Sequence, residues 1–158
     1  MGMQPIVGYN FGAQKIDRVK QTLRLGIISG VVITSSGFVI CECFPHAVSA
    51  LFTDSDELID LAVGGIRLTV LMFPFVGAQI VIGNFFQSIG KAKVSIFLSL
   101  TRQLLYLLPC LLLFPNWWGL EGIWISMPVS DALAFITAVI SLMIYIKKVS
   151  KQHPVVAE

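Results

Sequence analysis

The chain has 158 residues; 56% are hydrophobic and only 13% charged, with a mean hydropathy of +0.83 and a net charge of +2. An ordinary soluble domain carries about 25% charged residues, so this composition excludes a water-soluble globular domain. No charged opening followed by a short apolar core and a cleavage site is visible, so no secretory leader is expected.

Residues 4–14, QPIVGYNFGAQ, read as loop, because Pro5 restricts Gln4 and Gly8, Asn10 and Gly12 punctuate the backbone. Residues 15–24 are basic, with Ile16, Val19 and Leu23 on one helical face. They read as a lead-in helix lying on the membrane surface. Together, residues 1–24 are a cytoplasmic loop and the start of an amphipathic helix. The direct entry into loop-like sequence reads as the continuation of an upstream helix.

The first apolar span is 25–44 and stops before Pro45. Gly26, Gly30 and Thr34 make a small-residue face that lets another helix approach closely. Residues 45–53 form a short connection in which 47–52 make an interfacial turn. The second span, 58–88, opens behind the acids Asp54, Asp56, Glu57 and Asp60 and ends at Gly90. Between residues 61 and 86 only Arg67 is ionisable, a run longer than the ~20 residues needed to cross ~30 Å of hydrocarbon. Pro74 sits mid-span and is expected to bend the helix there. Gly77, Gln79, Gly83 and Asn84 follow, which points to a moving or cavity-lining element.

The third span is 94–114, carrying Arg102 and Gln103 and interrupted by Pro109. Pro115, Asn116, Trp117 and Trp118 then read as a short loop with interfacial anchors. The fourth span is 122–146. Gly122, Ser126, Ser130, Ala134 and Ala138 recur every fourth residue, a strip that predicts close contact with a neighbouring helix, in this chain or outside it. Lys147, Lys148 and Lys151 close it, and residues 147–158 read as a loose cytoplasmic tail.

The bases fix the expected orientation. Nine of the eleven Lys and Arg precede the first span, separate the second from the third, or follow the fourth; the other two loops have none. That asymmetry places the start, the Gly90 turn and the C-terminus in the cytoplasm of a multi-pass protein of the cell membrane.

Arg67 and Arg102 are costly in a bilayer, so each needs protein, water or a partner. Glu42 lies near the depth of Arg67, and Asp131 lies within roughly 8 Å of the depth of Arg102 at 1.5 Å per residue. These pairs read either as staples between helices or, at Asp131, as part of a proton or cation path. Gln79 and Asn84 either bond across to a neighbour or line a polar cavity, with Gln79 the stronger cavity candidate. Cys41, Cys43 and His46 lack the second ligand pair of a metal motif. No nucleotide-binding loop, catalytic set or cofactor motif is present, and the bases lack the aromatic interleaving of a nucleic-acid surface. Transport by such a chain draws on an ion gradient or a partner.

Three stretches go further: QPIVGYNFGAQKIDRVKQTLR (4–24), LFTDSDELIDLAVGGIRL with FPFVGAQIVIGNFFQSIGKAK (51–68 and 73–93), and SLTRQLLYLLPCLLLFPNWWGLEGIWISMPVSD (99–131). In order, they resemble a cytoplasmic loop and helix start, the tenth helix with the loop after it, and the last two helices of the multidrug and toxic-compound extrusion (MATE) family. The resemblance implies an all-α integral membrane fold of twelve helices in two lobes around a central cavity. This chain would supply helices nine to twelve of the C-terminal lobe, partnered by the N-terminal lobe and by helices seven and eight. It implies export of cationic or amphipathic small molecules in exchange for Na⁺ or H⁺. Some branches carry a cation-binding carboxylate on the tenth helix; here no Asp or Glu occurs between residues 61 and 87, so no ion ligand is carried over. Pro74, Gly77 and Gly83 are then the hinge of a helix that changes shape as the cavity alternates. The alternatives are a lipid-linked oligosaccharide flippase of the same superfamily, or a small four-helix structural membrane subunit.

Overall fold

A computed structural model describes residues 2–152, and among them there are helices and no strands. They are α1 (Met3–Gly12), α2 (Ile16–Cys43), α3 (Pro45–Ala50), α4 (Asp56–Val70), α5 (Phe73–Ser88), α6 (Ala92–Leu100), a π-helical stretch Thr101–Leu107, and α7 (Leu108–Gln152). α7 is broken at Gly119, whose φ of 56° and ψ of −132° are not helical. The chain therefore runs between the ends of a bundle four times: as α2, as the bent pair α4–α5, as α6 with the first part of α7, and as the rest of α7. α2 and the α6–α7 run are each long and apolar enough to cross a membrane, and α4 and α5 reach that length together.

The opening differs from the loop expected over 4–14. Pro5 falls in the first turn of α1, where a backbone N–H has no intrahelical partner to lose. Packing then overrides the glycines: Val7 is fully buried, and the buried Asn10 donates through Nδ2 to Ile6 O at 2.8 Å. Nor do residues 16–24 lie on the surface as a separate lead-in. They are the first turns of α2, anchored because Val19 and Leu23 join the core. The connection 45–53, expected to hold a turn over 47–52, instead contains the short helix α3, with Pro45 at its start.

The long span bends by 49° between Val70 and Phe73. The break falls just ahead of Pro74 rather than on it. Pro74 occupies the first turn of α5, so its missing donor ends the α4 ladder and starts a new helix. Pro109 acts differently. It sits directly after the π-helical stretch and leaves the helix unbroken. The wider π turn gives the ring room that an α turn would deny it.

The loop expected around Pro115–Trp118 is instead helix, and one residue makes the reversal. Gly119 takes a backbone conformation that only glycine adopts readily, and a Cβ on Gly122 would strike the backbone of Phe114. Gly119→Ala is expected to lower stability by about 1–3 kcal/mol, the usual cost of holding a side chain in a disfavoured φ/ψ region. Thermal unfolding in detergent measures it. The expected tail is helical as far as Gln152, and residues 153–158 lie outside the described residues.

α5 is the hub. α2 lies along one side of it, α7 along another, α6 along a third, and α1 crosses its end. Ile82, Phe85 and Phe86 of α5 are the centre of the core, with Val19, Leu23, Leu98, Ala138 and Leu142 around them. Phe85, Phe86 and Tyr145 pack edge to face with centroids 5.6 to 6.1 Å apart. Lys91 Nζ stands 5.1 Å over the Tyr145 ring, so the Gly90 turn and the last turns of α7 share one end of the bundle.

Small residues set the helix spacing. A Cβ added to Gly30 would sit 3.0 Å from Gly77 O and 3.0 Å from Val81 Cγ2, and one added to Gly77 would run into Thr34 and Gly30. The strip on α7 faces inward along its length: Ser126, Ser130, Ala134 and Ala138 are each at most 2% exposed. Its neighbours are α4, α5, α6 and the π-helical stretch of this same chain. Outside, by contrast, Ile33, Leu105, Leu112, Ile144 and many other apolar side chains are exposed. That is the inverse of a soluble surface and suits lipid.

Candidate functional site

A cleft of about 260 Å³ opens between α5 and the run of α6 into the π-helical stretch. Its walls are unusually polar for this protein. Gln79, Asn84 and Gln87 come from α5, Ser95 and Ser99 from α6, and Arg102 and Gln103 from the π-helical turns. The spacing explains why they meet. Residues 79, 83 and 87 lie one turn apart on one helix, and 95, 99, 102 and 103 lie along one face of the other. Gly83 faces open space, since a Cβ there would meet nothing within 4 Å. A side chain at that position would take up room in the cleft.

Gln79 is 8% exposed, and its Oε1 has no hydrogen-bond partner among the described residues. A buried amide oxygen left unpaired costs about 1–3 kcal/mol. Gln79 lines the cleft, so the unpaired acceptor lies in its wall. The π-helical stretch contributes Arg102, whose Nε donates to Asp131 Oδ1 at 2.8 Å. The Asp131 side chain is 8% exposed, that of Arg102 35%. The carboxylate is therefore buried with Arg102 as its partner, and Arg102 in turn lines the cleft. Arginine length covers the difference in depth between the two spans. Nearby, Tyr106 Oη and Thr137 Oγ1 share a hydrogen bond of 2.8 Å, a second polar tie between the same helices.

The residues singled out in the sequence thus separate into groups. Gln79 and Asn84 lie on the cleft with Arg102, while Asp131 does not line it and is tied to it by its bond to Arg102. Pro74 lies at the bend, away from the cleft. Gly77 is wedged against Gly30 in the α2–α5 contact and sits in regular helix. Arg67 Nε lies 3.6 Å from Glu42 Oε1 at the opposite end of the bundle, and both side chains are about half exposed. A pair so open contributes at most about 1 kcal/mol. Among the described residues no group of three or more His, Cys, Asp or Glu is placed to hold a metal ion. Gln87, Ser95 and Ser99 are lining residues that sequence reasoning misses. Their signal is a polar stripe, 95–99–102–103, within an otherwise apolar span.

An arrangement of amides, hydroxyls and one guanidinium can offer donors and acceptors to a polar organic molecule without committing a free carboxylate to it. No acid lines the cleft itself.

Comparison with known proteins agrees with this architecture. The MatE family model matches residues 1–112. The multidrug export protein MepA of Staphylococcus aureus (strain MSSA476) is 24% identical over 149 residues, which is 92% of this chain and 31% of MepA. The solved structure of the MATE multidrug transporter DinF-BH, a ligand complex, is 38% identical, with a TM-score of 0.83 over 89% of this chain and 32% of that one. An inward-facing multidrug resistance MATE transporter of the MOP superfamily superposes with a TM-score of 0.88 at 19% identity, covering 94% of this chain and 35% of its own. The chain therefore spans about a third of the length of these relatives. A family match over well more than half the chain leads to one assignment: the chain belongs to the MatE family.

Proposed function

We propose that the chain works as the C-terminal third of an ion-coupled exporter of cationic or amphipathic compounds, and that the α5–α6 cleft is its contribution to the substrate route. The observation that supports this most is the polar cleft itself. A buried amide with an unpaired oxygen and a half-open guanidinium are expensive inside an apolar bundle. Such groups are retained where they meet a cargo or water. MepA is named a multidrug export protein and DinF-BH a multidrug transporter; both support the cargo class proposed here. The partners in this reading are the lipid bilayer, the N-terminal lobe, and helices seven and eight. Coupling to Na⁺ or H⁺ is assigned to residues outside this chain. The basic ends lie in the cytoplasm, which puts the Gly90 turn and the C-terminus on the inner face. Pro74 and the bend before it form the hinge.

The test is a chimera. The corresponding third of DinF-BH is replaced by this chain, and efflux of ethidium, a cationic aromatic dye, is followed in cells. Unaltered DinF-BH sets the scale. The chimera is expected to keep efflux within about tenfold of the parent. A chimera that reaches the membrane in normal amount and is as inactive as empty vector would overturn the proposal.

A further inference from the structure

A second groove lies between α2 and α7 at the basic end of the bundle, well away from the α5–α6 cleft. It is an open groove of about 470 Å³. Its lining changes character along its length. At the mouth stand Lys20 and Arg24, one turn apart on the same face of α2. Below them Ile27 and Ile28 form one wall, and Leu142 and Ile146 of α7 form the other. From Lys20 to Ile28 the helix rises roughly 12 Å.

Among the described residues, the cations at the mouth have no acid to answer them. Among the described residues the only ion pairs are Glu42–Arg67 and Arg102–Asp131. Asp17, one turn before Lys20, is exposed and bonds to neither base. Lys20 is partly buried, so its stem is already held against the protein. The exposed apolar surface around the groove marks it as lying at the height of lipid.

We propose that this groove is a binding site for an anionic phospholipid. The headgroup phosphate sits between Lys20 and Arg24, and the upper part of an acyl chain lies between Ile27, Ile28, Leu142 and Ile146. Charge complementarity selects the occupant. A zwitterionic lipid offers the same chain but carries its own cation beside the phosphate. A peptide segment would bring backbone polar groups into an apolar slot that has nothing to pair with them. Basic pockets between helices at the membrane surface are suited to acidic headgroups for this reason. The proposal rests on the groove alone and stands whether or not the chain takes part in export.

Native mass spectrometry of the purified chain in mild detergent tests it. Phosphatidylglycerol and phosphatidylcholine with identical acyl chains are titrated separately. Phosphatidylglycerol is expected to bind about thirtyfold more tightly, the scale set by two bases near a membrane surface. K20Q/R24Q is expected to bring the two lipids within about twofold of each other. K20R/R24K is expected to keep the preference, which separates charge from folding. K15Q/K93Q removes the same net charge outside the groove and is expected to leave the preference intact. Leu142→Trp fills the slot and is expected to weaken both lipids. Glycerol phosphate, which has the headgroup chemistry and no chain, is expected not to compete at millimolar concentration. Equal binding of the two lipids by the unaltered chain would overturn the proposal. So would an equal loss in K15Q/K93Q, which would show diffuse surface attraction, or efficient competition by glycerol phosphate, which would show that the slot is unused.

Discussion

Gly77→Val is expected to destabilise the protein by about 3 kcal/mol, the upper end of the cost of forcing extra methyl groups into a packed contact. The reason is what the new side chain would meet. At Gly77 even a single Cβ would collide with Thr34 Oγ1 and with the backbone of Gly30. Neither is the free end of a flexible chain. Thr34 Oγ1 is held by its hydrogen bond to Gly30 O at 2.9 Å, and the Gly30 backbone is part of α2. The only relief is to part α2 from α5, the contact on which the Ile82–Phe86 core depends. Gly83→Ala, six residues along the same helix, is the control. Its Cβ meets nothing within 4 Å, and alanine is favoured over glycine in a helix interior by about 1 kcal/mol. It is expected to be neutral or stabilising. Unfolding in a detergent series reads both variants, and a Gly77→Val protein as stable as the parent would show that the two helices do not meet as described.

Arg102→Met is expected to cost about 3 kcal/mol, while the double variant Arg102→Met with Asp131→Leu recovers most of the loss. Removing one member of a buried pair strands the other, at a cost of about 3–5 kcal/mol. The lower end applies because the Arg102 side chain is about a third exposed. Replacing both groups leaves no stranded charge, so the double variant is expected within about 1 kcal/mol of the parent. This cycle separates the two readings of the pair. A staple gives a large single loss and recovery in the double variant. A carboxylate used for ion transfer gives a different result with Asp131→Asn, which keeps an acceptor for Arg102. In that case stability is nearly kept, while ion-dependent efflux by the DinF-BH chimera falls by about a hundredfold, the scale of losing a proton-transfer group.

Much of the architecture can be read from residue order because lipid imposes a simple rule. Long apolar stretches must be helices, and the rare charges within them must find partners across the bundle. Arg102 and Asp131 illustrate this, since each is too expensive in hydrocarbon to stand alone. The connections are less legible. Gly8, Asn10 and Gly12 look like chain breakers, yet residues 3–12 are helical because α5 and α2 bury Val7. Pro115, Asn116 and the two tryptophans look like a loop, yet the reversal is made by Gly119 alone. In both places local composition points to a turn and tertiary packing outweighs it. Pro74 announces a bend, but the break settles at the preceding residues because a proline is best accommodated in a first turn. At the cleft, the polar stripes on the two helices can each be seen in the sequence. Their meeting cannot, because it depends on how deep α6 rides against α5 after the Gly90 turn, whose φ is +75°.

The proposal that the cleft belongs to the substrate route has a direct test. Cys41, Cys43 and Cys110 are replaced by serine or alanine, and a single cysteine is placed at Asn84 in the DinF-BH chimera. A membrane-impermeant maleimide is then applied to open membranes, with and without ethidium. The cleft reading predicts rapid labelling that ethidium slows at least about fivefold, whereas a cysteine at the outward-facing Leu105 stays unlabelled. Labelling at position 84 that is as slow as at 105, or that ethidium leaves unchanged, would contradict it.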